Sequence, residues 1–443
     1  MTPAQPIVRN LLGPSGQTRS AQGLGLPALI LIAAVCFNAF LAAINAHLFR
    51  LTDSIVIAVE VILLLAAHSV ALKRYHQDMA AWYLLLGLLV VWCLVRALAI
   101  GHFEPKLARD IAIIPTFIIL GMTSDPKQLD RTVLIILAIA GAAGAMEAIF
   151  PDWYSSVFDI KSYYIQTRHY TSEDFYNKES TLFVSATRAD GRMFAFLDMP
   201  RLSSIFLEPV SLENYCTIMT AYFCTRFREL SAPALILGVL TVAFLLIGSD
   251  GRLATASSIL VVAVCVLAPY VPSFCAALYL PLVLIAGLGV TLIMHPDPNS
   301  DDFPGRIAYT TDMLQNFTLL DLLGLSDRLL QAAVDSGIAY LIITQSLIGT
   351  VVLFLFAIYA SAYKTKEQMR FMHALLLYTA LTMMVSASML TIKTAALAWF
   401  IHGALQRSPA RTPQRSHLKG RNAGQSLLQY RNLTNSASGV RPA

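Results

Sequence analysis

Runs of about 20 consecutive apolar residues, the length that crosses a bilayer core, recur along almost the whole chain. They occupy 26–49, 54–72, 80–100, 131–150, 204–225, 232–249, 253–275, 277–294, 338–363, 370–386 and 387–405, and a shorter run at 108–122 carries Pro115. No single soluble core can absorb that much apolar surface. With 56% hydrophobic and 13% charged residues and a mean hydropathy of +0.62, the chain reads as an all-α polytopic membrane protein of about twelve transmembrane helices. The first run follows Arg9 and Arg19 but is too long for a cleaved leader, so it is expected to stay as a helix. All six cysteines fall within apolar runs, which argues for packing roles and against a disulfide framework.

Charge sets the expected orientation. The short connections KRYHQD (73–78), DPKQLDR (125–131), RFRE (226–229) and KTKEQMR (364–370) each hold two or three Lys/Arg, which assigns them to the cytoplasmic side. Both termini then fall on that side: a cytoplasmic N-terminal segment, 1–25, and a basic tail, 406–443. The tail has seven Lys/Arg and no acid against a chain total of +5, and its composition predicts disorder and contact with anionic lipid. The membrane domain is 26–405. Two long segments, 151–203 and 295–337, are assigned to the opposite side, and loops of that length seldom serve only as connectors.

Ionisable residues inside a membrane are costly and mark function. Glu60, Arg96, Glu147, Glu208, Arg252 and Lys393 all fall in the half that carries the long loops, whereas His68 and His402 lie near the other interface. Each could be reaching for headgroups, but their common side predicts one polar cavity open to the long loops. In the first loop Trp153, Tyr154, Tyr163, Tyr164, Tyr170 and Phe183 alternate with charges, giving either a packed cap or a surface on which sugar rings stack. Three arginines, Arg201, Arg252 and Arg306, lie at this face and have the fixed fork that suits diphosphate. In "RLSSIFLEPVSLENY" (201–215), Pro209 suits the first position of a helix whose open N–H groups could face an anion. Glu208 beside it either complements the helix dipole or accepts a proton. Asp335 either caps the next span or faces the same cavity, and His169 and His295 are further titratable groups. Asp297, Asp301 and Asp302 lack the spaced partners of a metal site. An alternating-access transporter would place binding groups near the midplane, not near one surface.

RLSSIFLEPVSL (201–212), SDGR (249–252), DSGIAY (335–340) and IKTAALAWF (392–400) resemble bacterial exopolysaccharide polymerases of the Wzy type, with the xanthan polymerase branch nearest, in the O-antigen polymerase and ligase superfamily. The resemblance implies a GT-C-like fold with two long periplasmic loops in the bacterial inner membrane. It implies a glycosyltransferase, without metal or cofactor, that polymerises undecaprenyl-diphosphate-linked repeat units at the periplasmic face. Arg201, Arg252 and Arg306 would hold diphosphates, with Lys393 completing the substrate site and Tyr163 and Tyr164 holding sugars. Glu208 would be the first choice of base, ahead of Asp335 and His169. Expected partners are lipid-linked saccharides and membrane lipids, with room for a chain-length regulator and a flippase, and no nucleic acid. Two alternatives stay open: glycan transfer to a lipid or protein acceptor, as in O-antigen ligases, and transport of lipid-linked oligosaccharides.

Overall fold

The computed structural model describes residues 24–407 except 169, 172–180, 187–192, 195–198, 301 and 362. The predicted N-terminal segment up to residue 23, the basic tail from residue 408, and His169 lie outside the described residues. The described chain is helical, with no strand among the described residues. Five long helices come first: α1 (Leu26–His47), α2 (Asp53–Leu72), α3 (Ala80–Ile100), α4 (Pro105–Met122) and α5 (Pro126–Ile149). The first long loop contributes short helices α6 (Pro151–Phe158) and α7 (Ile160–Arg168). Then follow α8 (Pro209–Arg226), α9 (Ala232–Ser249), α10 (Arg252–Leu267) and α11 (Tyr279–Met294). The second long loop forms α12 (Phe303–Gln315) and α13 (Leu319–Leu322), and the chain ends in α14 (Gly337–Tyr359), α15 (Lys366–Met383) and α16 (Ile392–Gln406).

Among the described residues, eight helical segments are long and apolar enough to cross a membrane: those containing α1, α2, α3, α5, α9, α10, α11 and α14. Those with the most exposed surface point leucine, isoleucine and valine outward; only 6% of the most apolar window of α11 is buried. In water such a surface would drive association, but against lipid it needs no partner. The expected spans at 108–122, 204–225, 370–386 and 387–405 correspond to α4, α8, α15 and α16, which are shorter or more polar. They are also the enclosed ones: every residue of α16 except Leu405 is buried. A helix ringed by protein can carry hydroxyls, amides and charges that a lipid-facing helix cannot, because neighbouring helices supply the partners.

α4 and α16 form the axis of the bundle, and two glycines set their spacing. A Cβ at Gly121 would lie 2.2 Å from the Phe400 carbonyl oxygen, and one at Gly403 would lie 2.0 Å from that of Ile118. The backbones touch at one end of the pair, and the charged residues Arg109, Asp110 and Lys393 lie toward the other. α14 is broken at Ser346 (φ 66°), whose hydroxyl accepts from Gly349 N (3.0 Å) and so restarts the helix. Gly324 (φ 68°) of the second loop seats against this break, where a Cβ would come within 2.7 Å of Ser346 N. Arg96, one of the six expected intramembrane charges, donates to the Ile343 carbonyl beside the break and pairs with Asp327. Its burial is explained by helix repair.

Gly121→Val and Gly403→Val should each destabilise the protein by about 1–3 kcal/mol or more through overpacking, read as a lower thermal midpoint in detergent. Gly87→Ala and Gly289→Ala, where a Cβ meets nothing within 4 Å, should leave the midpoint in place.

Candidate functional site

The junction "RLSSIFLEP" is held from three sides. Arg201 is buried and donates to the carbonyls of Ser249 and Ser185 (both 2.8 Å) and to the Glu213 carboxylate. Glu147 of α5 accepts from the backbone N–H groups of Ser203 (2.8 Å) and Ser204 (2.7 Å), and Tyr154 of α6 donates to the Ser204 carbonyl (2.6 Å). The chain then turns through positive φ at Ser204 (50°) and Leu207 (62°), which non-glycine residues adopt only when their surroundings impose it. Beyond this turn Pro209 opens α8, as expected, with Glu208 at the N-cap. The Glu208 carboxylate does not cap the helix. Its Oε1 accepts from Arg168 (2.6 Å), and its Oε2 accepts from Lys393 Nζ and Ser211 Oγ (2.6 and 2.8 Å). Lys393 also donates to the Phe206 carbonyl (3.2 Å).

Beside this triad lies a cavity of about 380 Å³, within the range of small-molecule sites. α1, α2, α4, α7, the start of α14 and the start of α16 wall it, at the end of the bundle that carries α6 and α7. Its charged lining is Asp53 and Glu60 from α2, Lys106, Arg109 and Asp110 from α4, Arg168 from α7 and Lys393 from α16. These charges are divided unequally. On the α7/α16 side two cations share the single Glu208 carboxylate. On the α2/α4 side Arg109 lies between two carboxylates, donating to Glu60 and, at 2.9 and 2.5 Å, to Asp110 Oδ1. Asp110 Oδ2 in turn accepts from Tyr340 (2.8 Å). The result is a polarised chamber, positive on one side and negative on the other.

Of the residues expected from the sequence, Lys393 and Tyr163 line the cavity, and Glu208 sits directly behind Lys393 and Arg168. Tyr163 donates to Asn38 Oδ1 (3.0 Å). Tyr164 is corrected: it is fully buried among Tyr163, Tyr170 and Phe183, with the Arg168 guanidinium 4.7 Å from its ring centre, so it offers no face to a sugar. Burial, reinforced by the nearby Glu208, pushes its phenol well above the usual tyrosine range. This part of the loop is a packed cap, and Tyr163 and Tyr170 are its members that reach the cavity. Arg201 is also corrected, because its donors are turned inward onto the junction. Arg252 is exposed at the start of α10, and Arg306 is half-buried in α12; neither lines the cavity. Asp335 is exposed, and Ser336, not Asp335, caps α14.

The single cavity expected to collect six buried charges therefore takes three: Glu60, Lys393 and, just behind, Glu208. Arg96 serves the α14 break, Glu147 the junction turn, and Arg252 faces outward. Lys106, Arg109 and Asp110 were not among the expected site residues because they precede or open the short 108–122 run, where they read as flanking charges. The usable signal was the weak apolar character of that run. Among the described residues, no group of three or more His, Cys, Asp or Glu is arranged to hold a metal ion. Comparison with family models, curated proteins and solved structures finds no match.

Arg201→Ala and Glu213→Gln each strand one half of a buried ion pair, a change that costs about 3–5 kcal/mol. Both should lower the yield of monodisperse protein in detergent. A normal yield with lost activity would instead return Arg201 to the ligand-binding set.

Proposed function

We propose that this chain transfers a glycan from a polyprenyl diphosphate to a sugar hydroxyl of a second lipid-linked unit, as a polymerase of undecaprenyl-diphosphate-linked repeats. The observation that carries this reading is the polarised chamber, with Arg168 and Lys393 on one side and Glu60 and Asp110 on the other. A glycan leaving its carrier needs its departing diphosphate neutralised, and fixed cations in an enclosed site supply this with no reorganisation during the reaction. Arg168 and Lys393 are the groups assigned to that task. They replace Arg201, Arg252 and Arg306, whose positions do not reach the cavity. Tyr170 is the aromatic assigned to a sugar ring.

On this reading α4, α8, α15 and α16 cross the bilayer with the eight strongly apolar segments. That makes twelve spans in a GT-C-like glycosyltransferase, with both termini cytoplasmic and the chamber at the periplasmic face of the bacterial inner membrane. The sequence likeness in 201–212 and 392–400 adds to the assignment. Those two stretches contain the ends that meet at Glu208 and Lys393.

The test is elongation by purified protein in detergent with defined lipid-linked repeats. A ladder of products is expected without a second compartment, which a transporter would not give. Arg168→Ala and Lys393→Met should each reduce elongation by about tenfold or more, the scale of removing one stabilising group from a transition state. No elongation by the wild-type protein would sink the assignment.

A further inference from the structure

The transfer requires a group that takes the proton of the acceptor hydroxyl. Glu208 is the acid that the sequence makes most prominent, yet both its oxygens are already engaged by Arg168, Lys393 and Ser211, and it lies behind the cavity wall. Asp110 lines the cavity but is equally saturated, with one oxygen held by Arg109 and the other by Tyr340. Asp53 is half-exposed in the first turn of α2, where water reaches its carboxylate. Glu60 differs from all three. It is two turns deeper in α2, about 10 Å along the axis, and it is buried and lines the cavity. Arg109 holds its Oε2, and its Oε1 has no hydrogen-bond partner among the described residues. A carboxylate oriented through one oxygen and open through the other has the geometry of a general base.

We propose that Glu60 is the general base of the transfer and that Glu208 is a positioning residue, which holds Arg168 and Lys393 at the leaving group. This assignment rests on the glycosyl-transfer reading. The acceptor hydroxyl oxygen bonds to the donor's anomeric carbon as that carbon's bond to the diphosphate oxygen breaks. The bonding pair departs with the diphosphate, and the hydroxyl proton passes to Glu60 Oε1. The division matches the chamber's polarity: the proton goes to the negative α2/α4 side and the departing charge to the positive α7/α16 side. The charged and titratable groups facing Glu60 are Arg109, Asp110 and Lys106 of α4, Arg168 and Tyr163 of α7, and Lys393 of α16. A base must be deprotonated to act, so the wild-type rate should fall on the acid side of its profile.

Initial rates of elongation with lipid-linked repeats would be measured across pH for the wild type and for Glu60→Gln, Glu60→Asp, Glu208→Gln and Asp53→Asn, alongside thermal midpoints. Glu60→Gln keeps an acceptor for Arg109 and should lower kcat by about 10²–10⁴-fold, with little change in KM and no acid-side fall in its residual rate. Glu60→Asp should recover part of kcat, and it carries the comparison if the Gln variant does not fold. Glu208→Gln should keep the acid limb while lowering kcat through the displaced Arg168 and Lys393. Wild-type elongation with an unchanged kcat in Glu60→Gln would overturn the base assignment alone. Loss of the acid limb in Asp53→Asn in place of Glu60→Gln would move the role to Asp53. Failure of the wild type to elongate would overturn the transfer reading, and the base with it.

Discussion

One carboxylate joins three parts of this fold that are distant in sequence. Glu208 ends the 201–208 junction and meets Lys393 at the head of α16 and Arg168 at the end of α7. Glu208 and Lys393 are buried, and neither would be stable there alone, since a buried ion without a partner costs several kcal/mol. Their mutual satisfaction fixes where α7 lies against the bundle, and α7 closes one side of the cavity. The triad is therefore as much an architectural joint as a chemical one. The strained turn before it follows from the same need. Positive φ at Ser204 and Leu207 is held by Glu147, Tyr154 and Arg201, and together these deliver the carboxylate to its two cations.

The polar helices occupy the centre for a related reason. In lipid, polar side chains are tolerated only where protein supplies their partners. α4, α8, α15 and α16 bury Asp110, Asn214, His373 and Lys393 among neighbouring helices, and the outer helices shield them. Gly121 and Gly403 bring α4 and α16 into backbone contact. That contact places Asp110 and Lys393 on adjacent helices at the cavity end.

Much of this was legible in the sequence, and what was missed has a physical explanation. Apolar length located the long helices, and Pro209 marked the start of α8 correctly. Intramembrane charge identified Glu60, Glu208 and Lys393 as worth attention. Depth alone, however, cannot say which neighbour satisfies a charge. Arg201 and Glu213, twelve positions apart, close on one another across the junction, and Arg96 meets Asp327 from the second loop. Pairings of that kind are set by tertiary contact, and a window of sequence does not contain them. The same limit applies to Tyr164, whose place in an aromatic-rich loop suited both a packed cap and a sugar platform. Lys106, Arg109 and Asp110 were hidden differently: hydropathy treats charges at the edge of a weak span as its boundary.

The distinction between holding and reacting follows from counting acceptor sites. A carboxylate whose two oxygens both already accept hydrogen bonds has little room for a further donor and no free direction of approach. Glu208 and Asp110 meet that description, and both are anchors. Glu60 shares Arg109 with Asp110, so one cation serves two acids and neutralises neither completely. Across the chamber the ratio is inverted, with Arg168 and Lys393 sharing Glu208. A reaction that releases a proton from one partner and an anion from the other is helped by both imbalances together. For the glycosyl transfer proposed above, making each side neutral by itself would remove that help.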